Sequence, residues 1–277
     1  MPNLALLLLL SSVLLLSACA PAVSPAGRAP TEIPTVEELD ALPQLMGVLS
    51  TDLVVEGRVV LADDLLVPAG VTLVLRPGTT VYVVPTHSTK IEPEWLSAAT
   101  ELLVRGTIRS EGSSADPVSF VPLPLSGGGD YVWSGLLLDG AVDSLIRHTR
   151  IEGAEQGVLC VNSSPQISDN HILGCRYGIV AQADSAPMIL DNLIENGEAG
   201  VFCWRRSHPL IQGNRIFGHN EEGLFVDQSS RPRLHDNLIR GNGIGLALYP
   251  DGPLAAVDQA RDNGENLRLL GVPGGRP

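Results

Sequence analysis

Four sets of residues in this 277-residue chain could carry chemistry: cysteines, histidines, one carboxylate set among arginines, and aromatic side chains in the last third. The aromatic set is Phe202, Trp204, Phe225 and Tyr249, accompanied by Arg205, Arg206 and Asp227. Rings in a row can stack on sugar faces, and a carboxylate beside a guanidinium can move a proton. Asp227 with Arg206 or Arg231 is therefore the candidate catalytic group. Glycoside hydrolysis would need a second carboxyl about 5–9.5 Å away. Asp169, Asp191 and Asp236 do not offer it, because each stands directly before an asparagine and reads as a bend former. Soft-metal chemistry wants clustered Cys, Met and His. No C-x-x-C or H-x-H occurs, and once the leader is removed Met46 and Met188 are the remaining methionines. No metal site and no cofactor is expected.

The elements that would position these residues are repeats. Four segments align on a proline: PQISDNHILGCRYGIV from Pro165, PMILDNLIENGEAGVF from Pro187, PLIQGNRIFGHNEEGLF from Pro209 and PRLHDNLIRGNGIGLA from Pro232, in steps of 22, 22 and 23 residues. Five residues after each proline comes an asparagine (Asn170, Asn192, Asn214, Asn237), and two later an isoleucine (Ile172, Ile194, Ile216, Ile239). A glycine (Gly178, Gly200, Gly223, Gly245) then opens a short apolar run. A degenerate copy precedes them, with Thr149 in the asparagine position. A fixed period of this length means a solenoid. Within each unit the apolar residues alternate with period 2 in runs of three to five, broken by Gly, Asn and Pro, which means short strands and tight bends.

On these motifs the chain resembles the right-handed parallel β-helix proteins of the pectate-lyase-like superfamily. The likeness is strongest to the subgroup with P-x-I-x-x-N-x-I…N-x-x-G-I repeats. That subgroup includes periplasmic copper-binding accessory proteins of nitrous-oxide reductase and repeats of carbohydrate-binding and sugar-hydrolase type. The resemblance covers about residues 50 to 250 and implies an all-β fold of single-stranded coils of about 22 residues. About eight coils are expected, each rising about 4.8 Å. One inward column should run Val158, Ile179, Val201, Leu224, Leu246, and another Ile167, Ile189, Ile211, Leu234. The asparagines should hydrogen-bond along the axis. Segments 85–99 and 124–131 read as excursion loops. A copper site is not expected despite the resemblance, because His208, His219 and His235 occupy three different repeat registers.

In this register the residues alternating outward after each glycine include Phe202 and Trp204, Phe225 and Asp227, then Ala247 and Tyr249. They form one outer face, with Arg205, Arg206, His208, Arg231 and Arg233 just beyond. Residues 201–249 hold six arginines against four acids, whereas 30–70 hold eight acids against Arg58. An anionic ligand would thus prefer the later coils. The alternative is that a loop or the C-terminal tail, through Leu267, Leu269 and Leu270, covers the rings. Cys160 and Cys203 fall in one inward column two coils apart, about 10 Å and beyond disulfide reach, so the cysteines read as packing thiols.

The amino terminus supplies an address. Residues 4–16 are almost wholly apolar, and Leu16-Ser17-Ala18-Cys19 resembles a bacterial lipobox, which would make Cys19 the lipidated first residue of the mature protein. The expected organisation is signal peptide 1–18, tether 19–34, N-terminal capping segment 35–49 with a helix over 35–46, β-helix 50–252 and C-terminal cap or tail 253–277. A net charge of −13 and pI of 4.8 exclude a basic nucleic-acid binder. The sequence therefore reads as an envelope lipoprotein, with outer-membrane sorting suggested by Ala20. Its expected role is non-catalytic polysaccharide binding on the Phe202, Trp204, Arg205, Arg206, Phe225, Asp227 and Tyr249 face. The alternatives are a scaffold for an envelope protein partner, or a polysaccharide lyase or hydrolase. The enzymatic motifs of the superfamily are absent, and fold alone does not imply their chemistry.

Overall fold

Each repeat folds as one coil of three short parallel strands. Gln166–Ser168, His171–Leu173 and Tyr177–Gln182 make one coil. The next is Met188–Leu190, Leu193–Glu195 and Ala199–Cys203, followed by Leu210–Gln212, Arg215–Phe217 and Glu222–Val226. The computed structural model describes residues 33–86, 96–124 and 131–271 and contains a parallel β-solenoid of about nine turns. The first strands form an eight-stranded sheet. The second and third strands merge into a 17-stranded one, because Arg58–Val67 runs unbroken through both positions and pairs with Thr80–Val83 and Glu101–Val104 in turn. The expected excursion loops fall largely outside the described residues.

Inside, equivalent side chains stand in single file. Ile146, Ile167, Ile189, Ile211 and Leu234 are in register through the first sheet. Val158, Ile179, Val201, Leu224 and Leu246 are in register through the third-strand stack, and all are buried. Each buried aliphatic side chain contributes about 1.5–3 kcal/mol, and only stacking of neighbouring coils excludes water from it.

The corners explain the polar letters of the repeat. At the first corner the asparagines form a buried ladder. The Asn170 backbone N–H and Nδ2 both donate to Asn192 Oδ1, Asn192 repeats this to Asn214, and Asn214 to Asn237. Thr149 begins the ladder by donating its N–H to Asn170 Oδ1, and the side-chain amide of Gln259 ends it. Asp169, Asp191 and Asp236 precede the ladder at φ 57°, 53° and 53°, and Gly213 takes their place in the third coil at φ 70°. They are bend formers, as their spacing implies, because Asp, Asn and Gly tolerate the left-handed region. At the corner between the third strand and the next coil lies a serine column that the repeat alignment did not single out. Ser163, Ser185, Ser207 and Ser230, each two residues before a repeat proline, are buried. The Ser163 N–H donates to Ser185 Oγ and the Ser207 N–H to Ser230 Oγ.

Both ends depart from expectation. The Thr35 capping box is present, but the helix covers only Val36–Asp40, and Gln44–Val48 is a strand paired with Arg58–Val67. Pro43 accounts for the difference, since a helix rarely continues into the residue before proline. At the other end the tail continues the solenoid instead of lying over it. Glu265–Leu269 pairs with Ile244–Leu248 and places Leu267 and Leu269 in register with Leu246 and Leu248. These partial coils bring the count to about nine where eight were expected.

Candidate functional site

The outer surface of the third-strand stack carries an apolar column the length of the solenoid. Leu66, Leu103, Leu137, Leu159, Val180, Phe202, Phe225 and Ala247 are in register, coil upon coil, and Arg268 follows. The first four are buried in a cluster of their own, with Val161 and Val180 packed against it. From Phe202 on, the column is open enough for Phe202 and Phe225 to be half-buried and for neighbouring Trp204 to be 40% exposed.

Here the rings form a shelf. Phe202 stacks on Phe225 at 4.6 Å between centroids, and Trp204 lies 5.8 Å from Phe225 and 6.4 Å from Phe202, all within 28° of parallel. The parallel-strand register causes this, because identical positions on adjacent coils are one strand spacing apart, about 4.8 Å. Tyr249 lies one residue past the Val226↔Leu248 pair and makes no ring contact with the shelf. A side chain at Gly271 would begin 3.3 Å from its ring. The fourth ring is instead Tyr177, edge-on to Phe202 at 5.2 Å. Tyr177 stands one residue before the repeat glycine Gly178, in a register the alignment did not weigh. Leu267 and Leu269 do not cover the rings, since they stand in register with the inward Leu246 and Leu248 and Leu267 packs against the core.

The polar candidates are committed to the corner. The Asp227 carboxylate accepts from the backbone N–H groups of Arg205, Ser229 and Ser230 and from the Ser229 hydroxyl. Burial works to raise its pKa, but these hydrogen bonds outweigh it and hold the group below the ordinary carboxylate value. Arg206 forms a two-pronged pair with Asp184 at 2.8 and 2.6 Å, which keeps that exposed carboxyl ionised below its usual pKa. Arg231 donates to the Gln228 and Ser230 carbonyl oxygens and to Asp251. Asp184 lies 22 residues before Arg206, one repeat, so this pairing could have been found by reading charges through the repeat. Arg205 and Arg206 hold φ of 50° and 62°, a left-handed backbone that the corner hydrogen bonds keep in place.

The opposite edge of the shelf is acidic. The Tyr177 hydroxyl donates to Glu198 Oε1 at 3.3 Å, and Arg176 stacks over the Tyr177 ring while its Nε donates to Glu198. Glu222 shares the Tyr177 column, two coils on. Burial, reinforced by the adjacent Glu221 charge, raises its pKa.

The cysteines pack. Cys160 and Cys203 are in register with Ala181 between them, and all three described thiols are free and buried. Burial pushes Cys160 and Cys203 well above the ordinary thiol range and Cys175 up to about 12.

Residues 108–253, the coils that carry the ladders and the shelf, match the family described as periplasmic copper-binding protein, NosD. The chain belongs to the NosD family. No curated protein matches it. The family is periplasmic, in keeping with a β-helix scaffold of the cell envelope. Its copper does not fit the residues described in this member. Among them no three His, Cys, Asp or Glu side chains form a group that could hold a metal ion. The thiols are protonated and sealed in the core, and exposed Met46 and Met188 stand on strands at separate levels of the solenoid. His219, the most buried histidine, is held between backbone groups.

Proposed function

We propose that this NosD-family scaffold binds polysaccharide, without cleaving it, on the shelf of Phe202, Trp204 and Phe225 with Tyr177 at its edge. The observation that carries the reading is three near-parallel rings on two adjacent coils, with the indole of Trp204 open to solvent. Stacked on one another, the rings offer solvent their apolar edges and outer faces, an apolar ridge against which the C–H faces of sugar rings can pack. The commitment of both Asp227 oxygens to corner hydrogen bonds supports binding over catalysis, since a general acid or base needs a free oxygen on the substrate side. Placement of Arg206 and Arg231 in ion pairs supports it further. The apolar character of the column also suits an envelope protein partner, and the experiment separates the two. A glycan array probed with the native chain and with Trp204→Ala should give carbohydrate binding that falls about tenfold or more in the variant, the scale of one lost stacking contact. Absence of any glycan signal would overturn the reading in favour of a protein partner.

The amino terminus completes the proposal. Processing before Cys19 and acylation of its thiol would tether the scaffold to a membrane, with residues 20–34 as spacer. Metabolic labelling with a fatty acid should mark the native chain and not Cys19→Ala. Equal labelling of both would exclude the anchor.

A further inference from the structure

Resting on the shelf as a polysaccharide site, the charge around it points to the class of polysaccharide. By composition the last coils are basic, which alone would favour an acidic glycan. In the fold two of the six arginines of 201–249 are spent in ion pairs, and so are two more at the edge of the rings. Arg206 is bound to Asp184, Arg231 to Asp251, Arg176 to both Glu198 and Glu155, and Arg268 to Glu265. Of the four arginines beyond the ring face, Arg206 and Arg231 are paired, while Arg205 and Arg233 keep guanidinium groups without an ion-pair partner among the described residues. An ion pair already formed offers an incoming carboxylate little, because the anion must compete with the resident one.

The Tyr177 side of the rings has the opposite balance. Glu221 is exposed and Glu222 half-buried, and neither has an ion-pair partner among the described residues. Glu198 and Glu221 both act on the Tyr177 hydroxyl, and Glu222 feels the charge of both, so three carboxylates gather on the side of the ring that packs against Phe202. The edge already accommodates one cation on an aromatic face, the Arg176 guanidinium 5.1 Å from the Tyr177 centroid and bonded to Glu198. An aromatic face beside carboxylates attracts a cation twice over, through the ring quadrupole and through charge.

We propose that the shelf selects polysaccharides bearing protonated amino groups, hexosamine chains with free amines, over polyuronates. The sugar faces pack against the exposed edges and outer faces of Phe202, Trp204 and Phe225, and ammonium groups meet Glu221 and Glu222.

The test uses three soluble probes of equal length on the full chain at low salt: glucosamine oligomers, their fully N-acetylated counterparts, and galacturonate oligomers. Titration should give glucosamine oligomers an affinity on the order of fivefold above the N-acetylated ones, the scale of one or two exposed charge contacts, with galacturonate weakest. In Glu221→Gln/Glu222→Gln the preference should vanish while N-acetylated oligomers bind as before. That retained binding also reports that the variant is folded. Equal binding of acetylated and free-amine probes, or tightest binding of galacturonate, overturns the amine selectivity and leaves the shelf as a sugar site. Failure of all three to bind overturns both.

Discussion

His219 shows how much one residue of a solenoid can depend on protonation. It occupies the second corner in the column continued by Asn242 and Asn263, and it behaves as an asparagine substitute. The Gly197 N–H donates to its Nδ1 at 3.2 Å and its Nε2 lies 3.2 Å from the Ile194 carbonyl oxygen. Those contacts require the neutral ring with its proton on Nε2. Burial lowers its pKa to about 4, against smaller opposing effects from the Ile194 carbonyl and Glu195. With the folded value below the unfolded one near 6.5, stability is full above pH 6.5 and is lost as pH falls toward 4. The loss amounts to roughly 3 kcal/mol by pH 4. Urea midpoints of the native chain should therefore fall more steeply between pH 7 and 4 than those of His219→Asn, which keeps the ladder contacts without a titrating ring. Parallel curves would show that His219 does not carry the dependence. The same residue is legible in the repeat. Three histidines in different registers are legible as not forming a metal ladder, and the step of 23 residues from His219 to Asn242, each three after a repeat isoleucine, also carries the asparagine column to which His219 belongs.

At the scale of the coil, close approach decides which letters repeat. A Cβ at Gly200 would sit 2.4 Å from the Gly223 carbonyl oxygen and 2.4 Å from Ile216 Cγ2, and one at Gly178 would meet Gly200 and Ile194 in the same way. The repeat glycine thus marks where one coil's backbone presses against the next, a need of packing and not of turn geometry. Gly200→Ala should lower the thermal unfolding midpoint by an amount matching about 1–3 kcal/mol, the usual cost of overpacking a rigid site. An unchanged midpoint would mean the coils are farther apart than described. Strand alternation, the asparagine ladder and the inward columns were legible because they recur at fixed offsets from a proline. The serine column recurs as regularly, two residues before Pro165, Pro187, Pro209 and Pro232, and was recoverable from the same alignment. The leucine spacing over 35–46 implies a longer helix than Val36–Asp40 because spacing alone takes no account of the stop that Pro43 imposes. The pairing of the tail with Ile244–Leu248 was hidden because the repeat degrades there: Pro253 follows Pro232 by 21 residues, but Gln259 stands in place of the ladder asparagine and Arg261 where the isoleucine would be.

For the whole molecule, the outer apolar column is a consequence of stacking nine turns in one register. Its early half, Leu66 to Leu159, is covered, and its later half widens into the rings. The sequence revealed Phe202, Trp204 and Phe225 as a face. It did not reveal Tyr177, which stands in another register, or the absence of Tyr249 from the stack. Charge was the least legible property, because a count over residues 201–249 cannot see that Arg206 and Arg231 are bound to Asp184 and Asp251. The shelf exists only if positions 202 and 225 lie on neighbouring coils and position 180 lies one coil further back. Cysteine cross-linking measures this directly, since a disulfide needs Cα atoms within about 7 Å, which one coil spacing satisfies and two do not. Under mild oxidation Phe202→Cys/Phe225→Cys should form an intramolecular bridge, and Val180→Cys/Phe225→Cys should not. A bridge in the second variant, or none in the first, would contradict the register on which the shelf depends.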